Sequence, residues 1–395
     1  MTKLRVLQLL DSFNQGGSER QAVQLTRLLH ESGACEVRVA CLSGEGVLRA
    51  DVEALGVGEI PAFPLTSFMD ANFVVQVARF AQHLRRLDVS VVQSSDFYTN
   101  IFGMVGAALA GVPVRIAARR EGAERSAFHR RVERGSYRLA QAVIANCETV
   151  RNELIAEGVP EHKIIVSYNG LNLERYVARP GSQRLELLSE LGLAEVVGRP
   201  LVTIVANLRP VKDHSTFLRA ARLVKDVAPQ TAFCLAGEGE LLEPLRQQAA
   251  GLGLERDVFF VGRCSRVPEL LAVSDIGVLS SVSEGFSNAI IEYMASSLPV
   301  VATDVGGARE AVIEDETGYV VPPGDAGSMA AMVLRLLNDL GRAAEMGRRA
   351  RRMVEERFSN AALLNRTLRL YDHLISPKRT SSVQQLAAPE TFRKG

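Results

Sequence analysis

The sequence predicts an α/β protein built from two doubly wound parallel sheets in tandem. Three observations carry that expectation. Short, nearly continuous apolar runs alternate with amphipathic stretches along most of the 395 residues, the pattern of strands covered by helices on both faces. The alternation pauses once, where Pro180, Gly181, Gly192, Gly198 and Pro200 punctuate the chain, and then restarts. A chain of this length also suits two domains.

The elements follow in order. A strand over 4–10 leads through a loop holding Gly16 and Gly17 into a helical stretch, 18–30, with Ser18 as its N-cap. Further strands are expected at 35–42, 89–92, 112–117, 142–145 and 163–166, with helical segments between them. Asp96, just before Phe97, reads as a helix cap. This first domain covers 1–178, and 179–199 reads as a linker. Strands resume at 201–206, 231–236, 258–261, 276–279, 300–303 and 318–321, giving a second domain over 200–357. A last helix over 358–375 places Leu363, Leu364, Leu368, Tyr371 and Leu374 on one side. The polar tail 376–395 is expected to be disordered.

Composition narrows the function. With 46 basic and 45 acidic side chains the net charge is +1, so no global field favours nucleic acid. Apolar residues at 47% argue against wholesale disorder. No apolar run is long enough to span a bilayer, and the N-terminal segment reads as a first strand and not as a signal peptide. The five cysteines are scattered and never spaced C-x-x-C, which suits buried thiols in a reducing cytoplasm. The six histidines show no metal-ligand spacing.

The residues that could carry chemistry fall in loops after strands, where open α/β sheets bind ligands. Gly16-Gly17 admits two readings: a backbone that approaches an anion at a helix start, or a turn that needs glycine. In the second half, Glu284 ends a strand loop, and Phe286, Ser287 and Asn288 open a helix that carries Glu292 one turn in. That spacing fits a diphosphate at the helix start with a carboxylate towards each of two sugars. It equally fits acids favoured by the helix dipole. Glycine turns at Gly237 and Gly262 and the segment Asn207-Leu-Arg-Pro-Val-Lys-Asp-His214 lie at neighbouring strand ends, with Arg209, Lys212 and Arg263 supplying cations.

These segments, with "GGSER" at 16–20, "YNGLNLERY" at 168–176, "AGEGE" at 236–240 and above all "SEGFSNAIIEYMASSLPVVATDVGG" at 283–307, resemble the family 4 glycosyltransferases. The resemblance covers nearly the whole chain. It implies the GT-B fold: two Rossmann-like domains facing each other across a cleft, an acceptor side in the first and a nucleotide-sugar side in the second. The last helix crosses back to the first domain. It further implies a retaining, metal-independent transfer with no cofactor beyond the nucleotide sugar. Glu284 would contact the donor sugar at the reacting centre. Glu292 would bond the ribose, and Lys212 would neutralise the departing phosphate. Gly285, Phe286, Ser287 and Asn288, with Gly16 and Gly17, would approach the diphosphate.

Two positions depart from the family pattern. Asn207 stands where an arginine is usual, with Arg209 two residues on, and Arg119 stands where a histidine is usual. Arg119 and its neighbour Arg120 are accordingly expected as phosphate or acceptor contacts and not as bases.

The stretch 115–138 holds eight arginines against three glutamates, a local charge of +5. It suits either a solvated basic helix or contact with anionic lipid at the inner face of a membrane. The functional expectation is a hexosyltransferase acting on a glycan or lipid-linked acceptor in surface polysaccharide or glycolipid synthesis. The alternatives are a GT-B-fold sugar-nucleotide epimerase and a non-catalytic nucleotide-sugar-binding protein.

Overall fold

The structure, a computed structural model, describes residues 3–120, 126–176 and 183–376. Parts of the expected linker (179–182), most of the tail (377–395), and Glu121, Glu124 and Arg125 of the basic stretch lie outside the described residues. The chain forms two compact units. The first comprises Met1–Gly170 with Asn360–Gly395, and the second comprises Leu171–Ser359.

The first unit holds β1 (Leu4–Leu10), β2 (Cys35–Cys41), β3 (Val91–Ser94), β4 (Val114–Arg119), β5 (Ala142–Ala145) and β6 (Ile164–Val166). Among the described residues these make one parallel sheet in the order β2-β1-β3-β4-β5-β6. The order reverses between β1 and β3, so the loops after those strands border the crevice where such sheets take ligands. The principal helices are α1 (Gly17–Glu31), α2 (Ala71–Arg86), α3 (Phe97–Ala110) and α4 (Ala127–Leu139).

The second unit holds β7 (Leu201–Val205), β8 (Ala232–Ala236), β9 (Val258–Gly262), β10 (Ile276–Leu279), β11 (Val300–Thr303) and β12 (Gly318–Val321). Its sheet runs β12-β11-β10-β7-β8-β9, again with one reversal, between β7 and β10. All pairings are parallel. Helices α5 (Arg184–Glu190), α6 (His214–Val227) and α7 (Asn288–Ala295) belong to this unit.

Several expected details change. Residues 183–199 are no spacer. Leu187 and Leu188 of α5, with Leu193 and Val196, join the buried cluster around Leu201, Cys234 and Leu270. Glycine and proline punctuation marks the turns there, but the leucines between them have a core to fill. Ser18 does not cap α1, because Gly16 takes the extended cap conformation (φ −72°, ψ 166°) and the helix begins at Gly17. The last helix, α8 (Asn360–Ile375), belongs to the first unit. Its Leu363, Leu370 and Tyr371 pack with Val6, Val91 and Ile116 of that unit's core. The Tyr371 hydroxyl donates to Gln93 Oε1 at 2.6 Å and accepts from Gln8 Nε2 at 3.1 Å, which ties the helix to β1 and β3. Among the described residues no helix is long and apolar enough to cross a membrane.

Candidate active site

Opposite charges converge at the strand reversal of the second unit. The loop after β7 passes through Asn207, Arg209 and a short turn, Pro210–Lys212. The loop after β10 carries Ser280, Ser281 and Glu284. Lys212 Nζ lies 2.5 Å from Glu284 Oε1, with both side chains mostly withdrawn from solvent. Ser281 Oγ donates to the same carboxylate oxygen at 2.7 Å. Ser280 Oγ donates to the Lys212 carbonyl at 2.7 Å, and Val282 N donates to Val211 O at 2.9 Å. The two loops are thus stitched together, and the ammonium and carboxylate are held at the carboxyl end of the sheet.

Beside the pair begins α7. Its N-cap, Ser287, makes no side-chain capping bond, and its first turn has no acidic residue. Helix-start N–H groups have no partner within their helix, and such a start favours an anion. The start is fixed from below. Tyr293 is fully buried; its hydroxyl donates to Val278 O at 3.1 Å and accepts from Val205 N at 2.7 Å, which ties α7 to β10 and β7. Gly277 leaves room for that ring: a Cβ there would come within 2.4 Å of it. Phe286 is buried with its ring centroid 5.1 Å from that of Phe358. Glu292 is buried one turn beyond Asn288.

Glycines bring neighbouring backbones close. Gly306 has φ +52°, and a Cβ on it would lie 2.1 Å from Gly285 O. Gly307 N donates to that same oxygen at 2.7 Å. A Cβ on Gly237 would lie 1.9 Å from Ala206 O, which explains a glycine at that strand end by packing alone. Gly262 has φ +65° and accepts from Gly237 N at 2.8 Å. Arg209 is exposed and, among the described residues, its side chain has no hydrogen bond or ion pair, so a cation is available two residues from the exposed Asn207. Arg263 is more peripheral, half-exposed and 3.8 Å from Glu238. His214 is buried behind the loop, and burial pushes its imidazole down to about 4.

In the first unit, the expected residues divide. Gly16 and Gly17 do open α1, with the Glu19 carboxylate folded back over Gly16. Asp96 is the N-cap of α3: its Oδ1 accepts from the backbone N–H and the hydroxyl of Thr99. Burial, reinforced by the neighbouring Asp11 and Glu19 carboxylates, pushes Asp96 up to about 7. Arg120 donates to Asn169 Oδ1 at 3.1 Å, and burial holds its guanidinium down to about 10. Arg119 points elsewhere. It is almost wholly buried, 2.6 Å from Glu157 and 3.6 Å from Glu153. Strand alternation turns successive arginines to opposite faces, so Arg119 is an internal ion pair in place of the expected phosphate contact.

Sequence reasoning passed over Ser280, Ser281 and Tyr293. Two adjacent hydroxyls directly after an apolar strand were the available signal for the serines. For Tyr293 there was none beyond a tyrosine in an apolar helix. Among the described residues, no three His, Cys, Asp or Glu side chains gather as a metal-holding group.

Comparison with known proteins agrees with this architecture. The family description "Glycosyltransferase Family 4" matches residues 15–175, and "Glycosyl transferases group 1" matches residues 192–353. The N-acetyl-alpha-D-glucosaminyl L-malate synthase of Bacillus anthracis is 29% identical over 245 residues, 62% of each chain. The alignment therefore spans less than two thirds of that relative. A UDP-Gal:alpha-D-GlcNAc-diphosphoundecaprenol alpha-1,3-galactosyltransferase of Escherichia coli is 27% identical over 269 residues, 65% of this chain and 68% of that one. Among solved structures, Anabaena HepE in complex with UDP superposes with a TM-score of 0.83 at 22% identity, over 93% of this chain and all of that one. The two sheets and their helices are those of a GT-B protein. The chain belongs to the family 4 glycosyltransferases.

Proposed function

We propose that this protein moves a hexose-type sugar from a nucleotide-sugar donor to a glycan or lipid-linked acceptor, with retention at the anomeric carbon and without a metal ion. The Lys212–Glu284 pair, four residues ahead of the start of α7, carries the reading. When the donor's anomeric C–O bond breaks, charge grows on the departing diphosphate. Lys212, Arg209 and the helix-start N–H groups are fixed donors for that charge, and preorganised donors act most strongly on developing charge. Glu284 then faces the sugar, and Glu292, one turn into α7, serves the ribose. The acceptor oxygen bonds to the anomeric carbon as its proton passes to the oxygen of the departing diphosphate. The galactosyltransferase relative, named for a diphosphoundecaprenol-linked acceptor, supports a lipid-linked acceptor here, and with it a place in surface polysaccharide or glycolipid synthesis.

Thermal-shift measurement against UDP, GDP, ADP and their sugar conjugates tests the donor class. A ligand at a hundredfold excess over its Kd stabilises the fold by about 2.7 kcal/mol. One nucleotide series should raise the melting temperature, and Lys212→Ala should abolish the rise. No shift with any nucleotide would overturn the reading. Binding without sugar transfer or hydrolysis would favour a nucleotide-sugar-binding protein, and interconversion of free sugar nucleotides would favour an epimerase.

A further inference from the structure

We infer that the carboxyl edge of the first unit's sheet binds an uncharged sugar residue through its hydroxyls and turns away a residue that bears a carboxylate or phosphate. The inference rests on the proposed sugar transfer and names the class of acceptor residue that enters it.

The edge is polar at strand after strand. Asp11 directly follows β1 and Asp96 lies two residues beyond β3, the two strands that flank the reversal. Arg120 and Asn146 directly follow β4 and β5, and Asn169 lies three residues beyond β6. Five strands of one sheet therefore end in polar side chains along the edge where such sheets take ligands. Asp11, Asp96 and Arg120 are each partly open to solvent.

This edge holds more hydrogen-bonding capacity than the chain itself uses. Among the described residues the Asp11 carboxylate accepts no hydrogen bond and forms no ion pair, and burial raises it above the usual carboxylate range. Arg120 donates through Nη1 to Asn169 Oδ1 at 3.1 Å, yet its Nε is buried without a partner. Asn146 is 2% exposed; its Nδ2 donates to Arg120 O at 2.7 Å, while its Oδ1 is buried without a partner. Buried polar atoms left unpaired call for a partner from outside the chain. The unused set mixes acceptors, on Asp11 and Asn146, with a donor on Arg120. A sugar hydroxyl donates and accepts at once, whereas an ionised carboxylate only accepts. Hydroxyls suit all three groups, and an anion suits Arg120 alone.

Charge also decides against the anion. Asp11 and Glu19 act on Asp96 as like charges, and Arg120 is the guanidinium that Asp96 holds in its charged form. Three carboxyl groups thus share the edge with that one guanidinium. A carboxylate or phosphate entering there meets like charge at short range.

Saturation-transfer NMR on the full chain tests the inference with no donor present. It is run at pH 8, where Asp96, with its carboxyl at about 7, is ionised. The uncharged probes are the methyl glycosides of glucose, galactose, mannose and N-acetylglucosamine. The anionic probes are methyl glucuronide, L-malate and inositol phosphate. An uncharged glycoside should bind and the anions should not. Asp11→Ala should weaken the bound glycoside about tenfold, the effect of one hydrogen bond to a charged group. Asp96→Asn keeps a side chain that caps helices and should strengthen methyl glucuronide about fivefold, the effect of one charge at about 4 Å in water. Both variants should keep the wild-type melting temperature and the wild-type shift with nucleotide. Preference for the anions, or binding of no uncharged glycoside, would overturn the acceptor class while an intact nucleotide shift left the proposed transfer standing. Glycoside binding that neither variant alters would overturn the site. Glycosides bound as expected by a chain that no nucleotide stabilises would count against the transfer and not against the edge.

Discussion

Lys212 Nζ and Glu284 Oε1 stand 2.5 Å apart across the strand reversal of the second unit. Each neutralises the other while no anion is present. A nucleoside diphosphate must therefore compete with Glu284 for the ammonium. Glu284→Gln removes that competitor and should tighten binding of the free diphosphate about fivefold, the roughly 1 kcal/mol of a single charge at about 4 Å in water. Sugar transfer by the same variant should collapse. Isothermal titration with the diphosphate, paired with a turnover assay, separates the two effects. Weaker diphosphate binding in Glu284→Gln would contradict the competition.

Tyr293 fixes the helix start from beneath. Tyr293→Phe leaves Val205 N and Val278 O without their side-chain partner in a buried place. An unsatisfied buried polar group costs about 1–3 kcal/mol. Urea unfolding should show a loss of that size, and KM for the donor should rise because α7 is less well placed. Unchanged unfolding would mean that the hydroxyl does not hold the helix.

Gly306 allows the 283–286 and 304–307 segments to touch. Gly306→Ala places a methyl 2.1 Å from Gly285 O in a left-handed backbone conformation. The backbone alone disfavours that by roughly 1 kcal/mol or more for a residue with a Cβ, and the clash adds to it. A drop in melting temperature with loss of nucleotide binding is expected.

His214 gives a pH signature. Its folded value is near 4, below the ordinary 6.5, because burial disfavours the charged ring. The unfolded chain binds more protons between those values. The contribution is therefore complete above about pH 6.5 and lost as pH falls towards 4. Asp96 has the opposite sign: with its carboxyl raised to about 7 from 3.8, stability is lost as pH rises through that window. The difference between wild type and His214→Leu isolates the histidine. Wild type should lose stability relative to the variant, by a few kcal/mol, between pH 7 and pH 4.5. Parallel pH profiles would contradict a buried neutral ring.

Much of the fold was legible because parallel strands bury both faces. The runs at 142–145, 276–279, 300–303 and 318–321 coincide with β5, β10, β11 and β12. The donor-side loops were legible because glycines and charges cluster after those strands. What escaped depends on neighbours distant in the chain. Leu187 and Leu188 look like linker residues until β7 and β8 supply a core. Arg119 looks like Arg120 until Glu157 claims it, 38 residues away. Ser18 suits a cap by type, but the chain enters the helix one residue earlier, at Gly17.

The most direct test is release of nucleoside diphosphate from the nucleotide sugar that the thermal screen selects, measured for wild type, Lys212→Ala and Glu284→Ala in chelator-treated buffer. Wild type should turn over with chelator present, and each variant should fall about 10²- to 10³-fold, the loss typical of one preorganised electrostatic contact, while melting as wild type does. Full turnover by both folded variants would contradict the site, and loss of wild-type turnover on chelation would contradict transfer without a metal.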